Sequence, residues 1–460
     1  MNNRMEPEVA KLLDTLPGMR WVEVLLPDMN GILRGKRIGR ADLDKLFGDG
    51  VPLPGATTML DTKGLTFEAL KFGGDDGDPD VLCHAVPGSL APVPWLKAPT
   101  GQVLVAMSEV SGAPYFADPR RVLERAIEPL TDAGLRPVVA TELEFYLLEE
   151  DPDDRPRPNT ARIPGTRLPQ DGPQFASLDD LNDMGAFFAE VDASCETQNL
   201  PASTAVSEFA PSQFEINLHH VADPVLACDH AVLLKRLIKN VARRHGAVAS
   251  FMAKPFAEHA GCGLHIHVSL LDEQGRSVFA PAEKRKRGLP FSKELRHAVG
   301  GLAEAMHESM AVFAPNANSY RRFRAGAFVP KAPTWGINHR NLSMRVPLSD
   351  AANARIEHRV AGADANPYLV MAAVLAGIHH GIEKRCEPGP MIAQGASTPK
   401  EATLPVRWEA SLDAFDRAQI LPRYLGEEYC RVFGICRRSE CDRFHSEVSD
   451  RDYEWYLRYI

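Results

Sequence analysis

The chain has 460 residues, of which 44% are hydrophobic and 25% charged, a composition typical of a globular protein large enough for two domains. Its 61 acidic and 52 basic residues give a net charge of −9, which argues against general nucleic-acid binding. The N-terminus lacks the apolar segment of a signal peptide, and the longest apolar run, Tyr368 to Ile378, is too short to span a bilayer. We therefore expect a cytoplasmic protein that interacts with neither nucleic acid nor membrane.

Short strand signals dominate the first part of the chain, after a predicted helix over residues 5–16. Strands are predicted, with Pro and Gly dense between them, over residues 21–26, 31–38, 51–60, 81–86 and 103–110. This pattern indicates a small β-rich domain over residues 1–112. The turn Ser111-Gly112-Ala113-Pro114 marks its boundary with a second domain over residues 113–460.

Longer helices alternate with strands in the second domain. Three helices are expected to begin with an N-cap residue followed by proline, at Asp118-Pro119, Asp223-Pro224 and Asn366-Pro367. Helical periodicity also covers residues 178–199, residues 292–313 and the segment from Trp408 onwards. The pattern is typical of an α/β domain, so the whole chain is assigned to the α+β class.

Residues 138–148 form the stretch around which we build the functional argument. They are apolar and rich in β-branched and aromatic side chains, as expected of a buried strand, yet Glu142 and Glu144 interrupt them. Side chains two residues apart leave a strand on the same face, so both carboxylates point the same way. Because burying unpaired carboxylates is costly, the pair predicts bound cations. An isolated pair of this kind lies more often on a solvated sheet face.

Three further segments repeat the combination of a polar face and an apolar back. Glu215 lies in a strand-like run, and Glu208 precedes it across a proline-containing bend. The polar residues of the other two segments are His265, His267 and Ser269 in one, and Arg355, Glu357 and Arg359 in the other. A histidine pair alone is more often a satisfied core or surface pair. Four such strands in one domain indicate a curved sheet with a polar concave face and helices behind it.

The side chains on these segments form a mostly oxygen-donor set of five glutamates and one histidine. They are Glu142, Glu144, Glu208, Glu215, Glu357 and His265. Oxygen donors favour Mg²⁺ or Mn²⁺ over zinc, and this many carboxylates requires about two or three ions. The neighbouring arginines suit a phosphoryl group and a substrate carboxylate. Because the chain has neither a Walker loop nor a kinase glycine loop, we expect phosphoryl transfer on a different fold.

Seven motifs spread over most of the chain carry a family resemblance. They are Glu142-Leu143-Glu144-Phe145, Glu208 with Gln213-Phe214-Glu215, Met252-Ala253-Lys254-Pro255, Gly261 to His267, Asn318-Ser319-Tyr320-Arg321-Arg322, Arg355 to Arg359, and Val360 to Tyr368. Each motif is weak alone. As a set they resemble the type I glutamine synthetase family, and within it the γ-glutamylputrescine and γ-glutamylpolyamine synthetases.

The resemblance implies a glutamine synthetase fold, with a small β-grasp N-terminal domain and a catalytic α/β domain built on a curved antiparallel sheet. It implies a homo-oligomer, a dodecamer of two stacked hexameric rings with active sites between neighbouring subunits. In the implied reaction ATP phosphorylates the γ-carboxylate of glutamate, and an amine then displaces phosphate.

The resemblance also implies roles for individual residues. One metal would be held by Glu144, Glu208 and Glu215, and a second, under the ATP phosphates, by Glu142, His265 and Glu357. The residues implied at the glutamate carboxylate and the acyl phosphate are Arg322, Arg340 and Arg359, with Gly261 also in the substrate site. Those implied near ATP are His267, Ser269, Arg355 and Glu208.

Two acidic groups that ammonia-using members place around ammonium are missing from this chain. The glutamate of their closing loop aligns with Phe328, and the N-terminal loop that carries their aspartate, residues 52–58, has no acid. Ala260 also replaces an asparagine of those enzymes. We expect Phe328 and Trp335 to provide an apolar wall or a cation–π face for an alkylamine, while a simple packing role for Phe328 stays open. Asp61 is a candidate partner for the second charge of a diamine.

These features favour an ATP-dependent ligase that joins the γ-carboxylate of glutamate to putrescine, a longer polyamine or a small monoamine. A glutamine synthetase with an unusual ammonium site is the second hypothesis. The third is a non-catalytic structural or regulatory relative, which the complete ligand set disfavours. The sequence does not rank the amines.

Overall fold

A computed structural model describes residues 7–70, 76–150, 158–172, 175–281, 290–324, 328–399 and 401–460. Two β-sheets organise this part of the chain, which confirms an N-terminal β domain followed by a mixed α/β domain. The boundary at Gly112 remains our proposal. It lies in a tight turn in which the Glu109 N–H donates to the Ala113 carbonyl at 2.7 Å. No helix within the described ranges is both long enough and apolar enough to cross a membrane.

The N-terminal sheet has six strands, with two short helices in the same part of the chain. The elements are α1 (Pro7–Thr15), β1 (Trp21–Pro27), β2 (Leu33–Gly39), α2 (Leu43–Phe47), β3 (Val51–Pro54), β4 (Asp80–Ala85), β5 (Ala91–Pro92) and β6 (Thr100–Ser108). The strand order is β2-β1-β6-β4-β3, with β5 paired to β6. β1 and β6 run parallel, and β6 is buried along its whole length, as its apolar run from Val103 to Met107 requires.

The predicted strand over residues 51–60 is wrong beyond Pro54. Pro52 and Pro54 have no N–H to donate to a ladder, and residues 55–59 form a 3₁₀ turn instead. This turn packs tightly, since a Cβ at Gly55 would come within 2.7 Å of the Tyr115 hydroxyl oxygen.

The second sheet has eight strands and carries the segments singled out in the sequence. They are β7 (Arg136–Glu149), β8 (Ala202–Ser207), β9 (Gln213–Leu218), β10 (Ala247–Ser250), β11 (Leu264–Leu271), β12 (Trp335–Ile337), β13 (Met344–Val346) and β14 (Ile356–His358). Their order is β12-β13-β14-β11-β7-β9-β8, with β10 paired to β7. The sheet is antiparallel as expected, except that β12 and β13 run parallel.

Ten helices accompany this sheet in the described part of the chain. They are α3 (Pro119–Asp132), α4 (Leu178–Asp183), α5 (Gly185–Thr197), α6 (Pro224–Arg244), α7 (Lys293–Phe313), α8 (Pro367–Lys384), α9 (Trp408–Phe415), α10 (Leu421–Leu425), α11 (Glu427–Ser446) and α12 (Asp450–Tyr456). The predicted N-caps Asp118, Asp223 and Asn366 each accept a backbone N–H of the first helical turn. The helix predicted over residues 178–199 is two helices, because the chain breaks at Met184 before the weak helix former Gly185.

α8 forms the centre of the helical layer and is buried over nearly its whole length. It packs against α3 and α7, so its almost uninterrupted apolar run reflects a core helix. α6 lies against β10 and against β7, the strand that carries Glu142 and Glu144.

Candidate active site

The register of four neighbouring strands brings the predicted metal ligands together. Glu144 on β7 lies opposite Glu215 on β9. On the other side of β7, Glu142 lies opposite His265 of β11, and His267 of β11 lies opposite Glu357 of β14. Because facing residues on adjacent strands project to the same side, the four polar faces form one continuous surface.

Glu142 is held by both histidines of β11. Its two oxygens lie 3.0 Å from His265 Nδ1 and 2.8 Å from His267 Nε2. Burial alone would raise the pKa of Glu142, but the two histidine contacts outweigh it and hold the pKa well below its usual range. Glu142 is therefore ionised in this arrangement.

Glu144 is fixed by the chain that precedes β11. The Gly263 N–H donates to its carboxylate at 2.7 Å, and Gln213 Nε2 lies 3.4 Å from the same oxygen. Gln213 also donates to the Gly261 carbonyl at 3.1 Å, so one amide ties β9 to the glycine-rich segment. These contacts hold Glu144 in a single orientation.

Glu208 and Glu215 are destabilised as anions. Burial and, after it, the neighbouring carboxylates raise the pKa of Glu208 to about 7 and that of Glu215 to about 10. Oxygens of Glu144, Glu208 and Glu215 all lie within 4.8 Å of one another. A buried trio of hard oxygen donors with this mutual repulsion fits a divalent cation, which would neutralise it.

The second predicted ligand trio, Glu142, His265 and Glu357, stays a prediction. Among the described residues, ligand atoms of Glu142 and Glu357 converge with His267, whereas those of Glu142 and Glu215 converge with His265. The strand register explains the difference, since His267 faces Glu357 directly and His265 faces Glu142. His267 thus joins the candidate ligands and is not only a neighbour of the nucleotide.

Glu357 is buried between two arginines. Arg345 Nη1 donates to it at 2.6 Å, and the Arg359 guanidinium contacts its other oxygen. Burial raises the pKa of Glu357, but the neighbouring charges of Arg359, His267 and His265 together outweigh burial and lower the pKa to about 2. The sequence analysis missed Arg345. The alternation Met344-Arg345-Val346, with a charged residue between two apolar ones, was the available signal.

A cavity of about 600 Å³ lies against one side of the cluster. Its lining includes Glu144, His265, Gly261, Arg322 and Arg359. Arg322 is buried, and its Nη1 donates to the Val360 carbonyl at 3.0 Å, while its Nε has no protein partner in the described structure. Gly261 leaves room for this side chain, because a Cβ there would lie 2.8 Å from Arg322 Cγ.

A second cavity, of about 470 Å³, lies beside the carboxylate of Glu142. It is lined by Glu142, His267, Ser269 and Arg355, which are the residues expected near ATP together with one metal ligand. Arg355 Nε lies 3.4 Å from His267 Nδ1, and Ser269 donates to the Ala354 carbonyl at 3.0 Å. Glu142 and Glu144 therefore face different cavities.

Phe328 lines the first cavity and is exposed there. Its ring meets the ring of Phe209 edge to face, with centroids 5.3 Å apart. Phe209 is also exposed and was missed by the sequence analysis, although it directly follows the predicted ligand Glu208.

Two residues predicted at the amine, Trp335 and Asp61, do not line the first cavity. Trp335 is buried, donates its indole N–H to the Gly389 carbonyl at 2.7 Å and packs against Phe291, so it does not line the first cavity. Asp61 caps its own turn by accepting the Lys63 and Leu65 N–H groups, and it pairs with Arg443, so its carboxylate is already satisfied.

Arg340 reaches the site only through its backbone, whose carbonyl accepts from Arg359 Nε at 3.0 Å. Its side chain is exposed and does not line the first cavity. Contact between that side chain and a substrate stays a prediction.

Comparison with known proteins places this site in a family. The catalytic domain of glutamine synthetase matches residues 116–456. The chain is 40% identical to the γ-glutamylputrescine synthetase PuuA of Escherichia coli over 98% of this chain and 94% of that protein. It is 31% identical to a glutamate–isopropylamine ligase of a Pseudomonas species over 94% of each chain. The structure of a GmaS/ADP complex superposes with a TM-score of 0.81 at 25% identity, covering 98% of this chain and 99% of that one.

The fold and the comparisons define the class of protein: an ATP-dependent glutamate–amine ligase. The chain belongs to the glutamine synthetase family. The predicted fold class is thereby confirmed.

Proposed function

We propose that the chain transfers the γ-glutamyl group of glutamate to a primary alkylamine or diamine, through a γ-glutamyl phosphate made with ATP. The observation that carries this proposal is the contrast between two groups of residues that line one cavity. The carboxylate and arginine cluster and the exposed aromatic pair of Phe209 and Phe328 line the same space. The putrescine and isopropylamine substrates named for two relatives are consistent with an aliphatic acceptor.

The carboxylates suit two or more divalent cations, with Mg²⁺ and Mn²⁺ the best match to their oxygen donors. One set of ligands is Glu144, Glu208 and Glu215, and another is Glu142, His267 and Glu357, with His265 between them. Such cations, when bound, supply charge that stabilises the transferring phosphoryl group.

The protein groups divide the reactants between the two cavities. Arg322 and Arg359 line the larger cavity and are placed to bind the carboxylates of glutamate, since both present guanidinium groups next to Glu144. His267, Ser269 and Arg355 line the smaller cavity and suit the nucleotide. Reaction at the boundary between the cavities brings a γ-carboxylate oxygen to the terminal phosphorus of ATP.

The chemistry then requires two displacements. The γ-carboxylate oxygen forms a bond to phosphorus, and the bond from that phosphorus to the β-phosphate oxygen breaks to release ADP. The amine nitrogen attacks the acyl carbon, the carbon–oxygen bond to phosphate breaks, and the amine loses a proton.

The acidic residues Asp171 and Glu258 line the larger cavity and replace Asp61 as candidate partners for the distal ammonium of a diamine.

Phosphate release with glutamate, ATP and a panel of amines tests the proposal. The panel contains ammonia, propylamine, isopropylamine, putrescine and spermidine. We expect kcat/KM for at least one alkylamine to exceed that for ammonia by 10-fold or more. Turnover with ammonia that equals or exceeds turnover with every amine would overturn the proposal in favour of a glutamine synthetase.

The assembly and location are also proposals. A dodecamer of two hexameric rings, formed from 50.6 kDa chains, would have a mass of about 600 kDa by light scattering. We propose a cytoplasmic location, where ATP and glutamate are both available.

A further inference from the structure

A separate cavity of about 670 Å³ lies at the junction of the two sheets. The turn between β1 and β2, residues 30–33, forms one wall. One face of α6 and the segment from Val248 to Met252 form the others, with Asp364 also in the lining. The active-site carboxylates do not line it.

The lining is strongly basic although the protein as a whole is acidic. It contains five cationic side chains: Lys235, Arg236, Lys239, Arg243 and Arg437. Two of them are neutralised within the protein, because Arg236 pairs with Glu23 and Arg437 pairs with Glu440. The remaining three, Lys235, Lys239 and Arg243, are spaced four residues apart and project from successive turns of α6 on one face.

These three cations have no carboxylate partner among the described residues. Lys235 is buried, and its ammonium donates only to the Ala363 carbonyl, at 2.8 Å. Lys239 contacts the Phe251 ring, with its Nζ 5.6 Å from the ring centroid, and Lys235 Nζ lies 5.3 Å from the same ring. Neither Lys239 nor Arg243 forms an ion pair in the part of the chain that the structure describes.

Of the two acids in the lining, Glu149 is paired outside the cavity, whereas Asp364 offsets part of the charge of Lys235. Glu149 pairs with Arg162 at 2.6 Å. Asp364 accepts from Asn316 Nδ2 at 2.8 Å and from the Ser319 hydroxyl at 2.6 Å. The cavity therefore keeps an excess of positive charge.

The unpaired charges destabilise one another. Burial and, after it, the charge of Lys239 lower the pKa of Lys235 to about 7. Burial and, after it, the charge of Arg243 lower the pKa of Lys239. Like charges four residues apart on a helix are unfavourable in the absence of a counter-charge. A bound anion would relieve both effects.

We propose that this cavity binds a small multivalent anion carrying phosphate or carboxylate groups, held by Lys235, Lys239 and Arg243. Arg243 provides a planar fork that can bind two oxygens of such a group, and the exposed Lys239 and the buried Lys235 provide point charges. Leu148, Val248 and Phe251 line the apolar side, so a ligand with a short hydrocarbon portion also fits. The cavity also borders the N-terminal domain, through residues 30–33.

Titration of the full-length protein with pyrophosphate and, separately, with citrate tests this proposal by calorimetry. EDTA is present, so that phosphate groups do not bind through divalent cations at the carboxylate cluster. We expect saturable binding of at least one of the two anions, one per chain, weakened by salt. The preferred probe distinguishes phosphate from carboxylate chemistry.

Matched variants locate the binding. Arg243→Ala should weaken it by 10-fold or more, while Arg244→Ala should leave it within 2-fold. Arg244 is the next residue on α6 and pairs with Glu190 outside the cavity, so its loss removes the same charge. Absence of saturable binding by the wild type, equal effects of the two charge removals, or loss of binding in Glu142→Ala would each overturn the proposal.

Discussion

Glu144 and Glu215 face each other on adjacent antiparallel strands, and both carboxylates are buried. Like charges in directly opposed positions destabilise a sheet, and here the burial that raises the pKa of Glu215 adds to the effect. The fold therefore carries an unfavourable pair at its centre, which a bound cation converts into a stabilising one.

A neutral residue in place of Glu215 should raise the stability of the protein but lower its activity. We expect Glu215→Gln to stabilise the cation-free protein by about 1 kcal/mol or more in urea unfolding with EDTA, because a neutral amide removes the cost of keeping a buried carboxyl group protonated beside other carboxylates. The same change should lower ligase activity at least 10-fold and reduce the gain in Tm on adding Mn²⁺. Glu196→Gln, at an exposed position on α5, is the control and should change neither quantity. A cation-free Glu215→Gln protein less stable than the wild type would contradict this account.

The cation-free protein should lose stability as the pH rises. The folded-state pKa values of Glu208 and Glu215, about 7 and about 10, lie above the ordinary value of 4.5. Their contribution is therefore fully present below about pH 4.5 and is lost as the pH rises through these values, by up to about 1.4 kcal/mol per pH unit for each proton. Urea unfolding in EDTA between pH 6 and 8 measures the slope. Glu208→Gln should flatten it, and an unchanged slope in that variant would rule out Glu208 as its source.

Gly261 sets the position of Arg322. A Cβ at residue 261 would lie 2.6 Å from the Ala253 carbonyl oxygen and 2.8 Å from Arg322 Cγ, so Gly261→Ala must displace one of them. We expect the KM for glutamate to rise by about 10-fold or more, since displaced positioning groups typically cost that much. Gly185→Ala is the control, because its Cβ would meet nothing within 4 Å. Unchanged glutamate kinetics in Gly261→Ala would show that Arg322 does not bind this substrate.

Phe209 and Phe328 should contribute to the binding of the amine and not to the binding of glutamate. Phe209→Ala and Phe328→Ala each remove one ring of an edge-to-face contact that lines the larger cavity. We expect each to raise the KM for propylamine by about 10-fold through lost apolar contact, with the KM for glutamate changed less than about 2-fold. Phe444→Ala, which removes a half-exposed ring on α11, should alter neither value. An equal rise in both KM values would indicate a general disturbance of the site.

Arg345 should be needed to keep Glu357 ionised in the core. Arg345→Ala leaves a buried carboxylate with one of its two arginines, and we expect a loss of about 2–4 kcal/mol in urea unfolding together with a large fall in activity. Arg438 pairs with Asp416 at 2.5 Å but is partly exposed, so Arg438→Ala should cost about 1 kcal/mol or less. Similar losses of unfolding free energy in the two variants would mean that the buried pair of Arg345 and Glu357 stabilises the protein no more than the exposed pair does.

Local features of this protein were readable from the sequence because neighbouring residues encode them. The two-residue spacing of Glu142 and Glu144 required both carboxylates to share a face, and the strand β7 confirms it. The N-caps Asp118, Asp223 and Asn366 identified three helix starts, because a cap acts on the turn that follows it. The strand over residues 51–60 failed on local chemistry too, since its prolines were not given enough weight.

The sequence by itself therefore determined the four strands that carry the candidate ligands, their polar faces, the fold and the family, and through the family the reaction class. Only the tertiary structure decided which distant side chains meet. Pairing of β11 with β14 placed His267 against Glu357, and pairing of β13 with β14 added Arg345. The tertiary structure also places Phe209 against Phe328, where the sequence had suggested Trp335, and it pairs Asp61 with Arg443. The physical reason is that periodicity acts over a few residues, whereas register and packing depend on segments up to hundreds of residues apart.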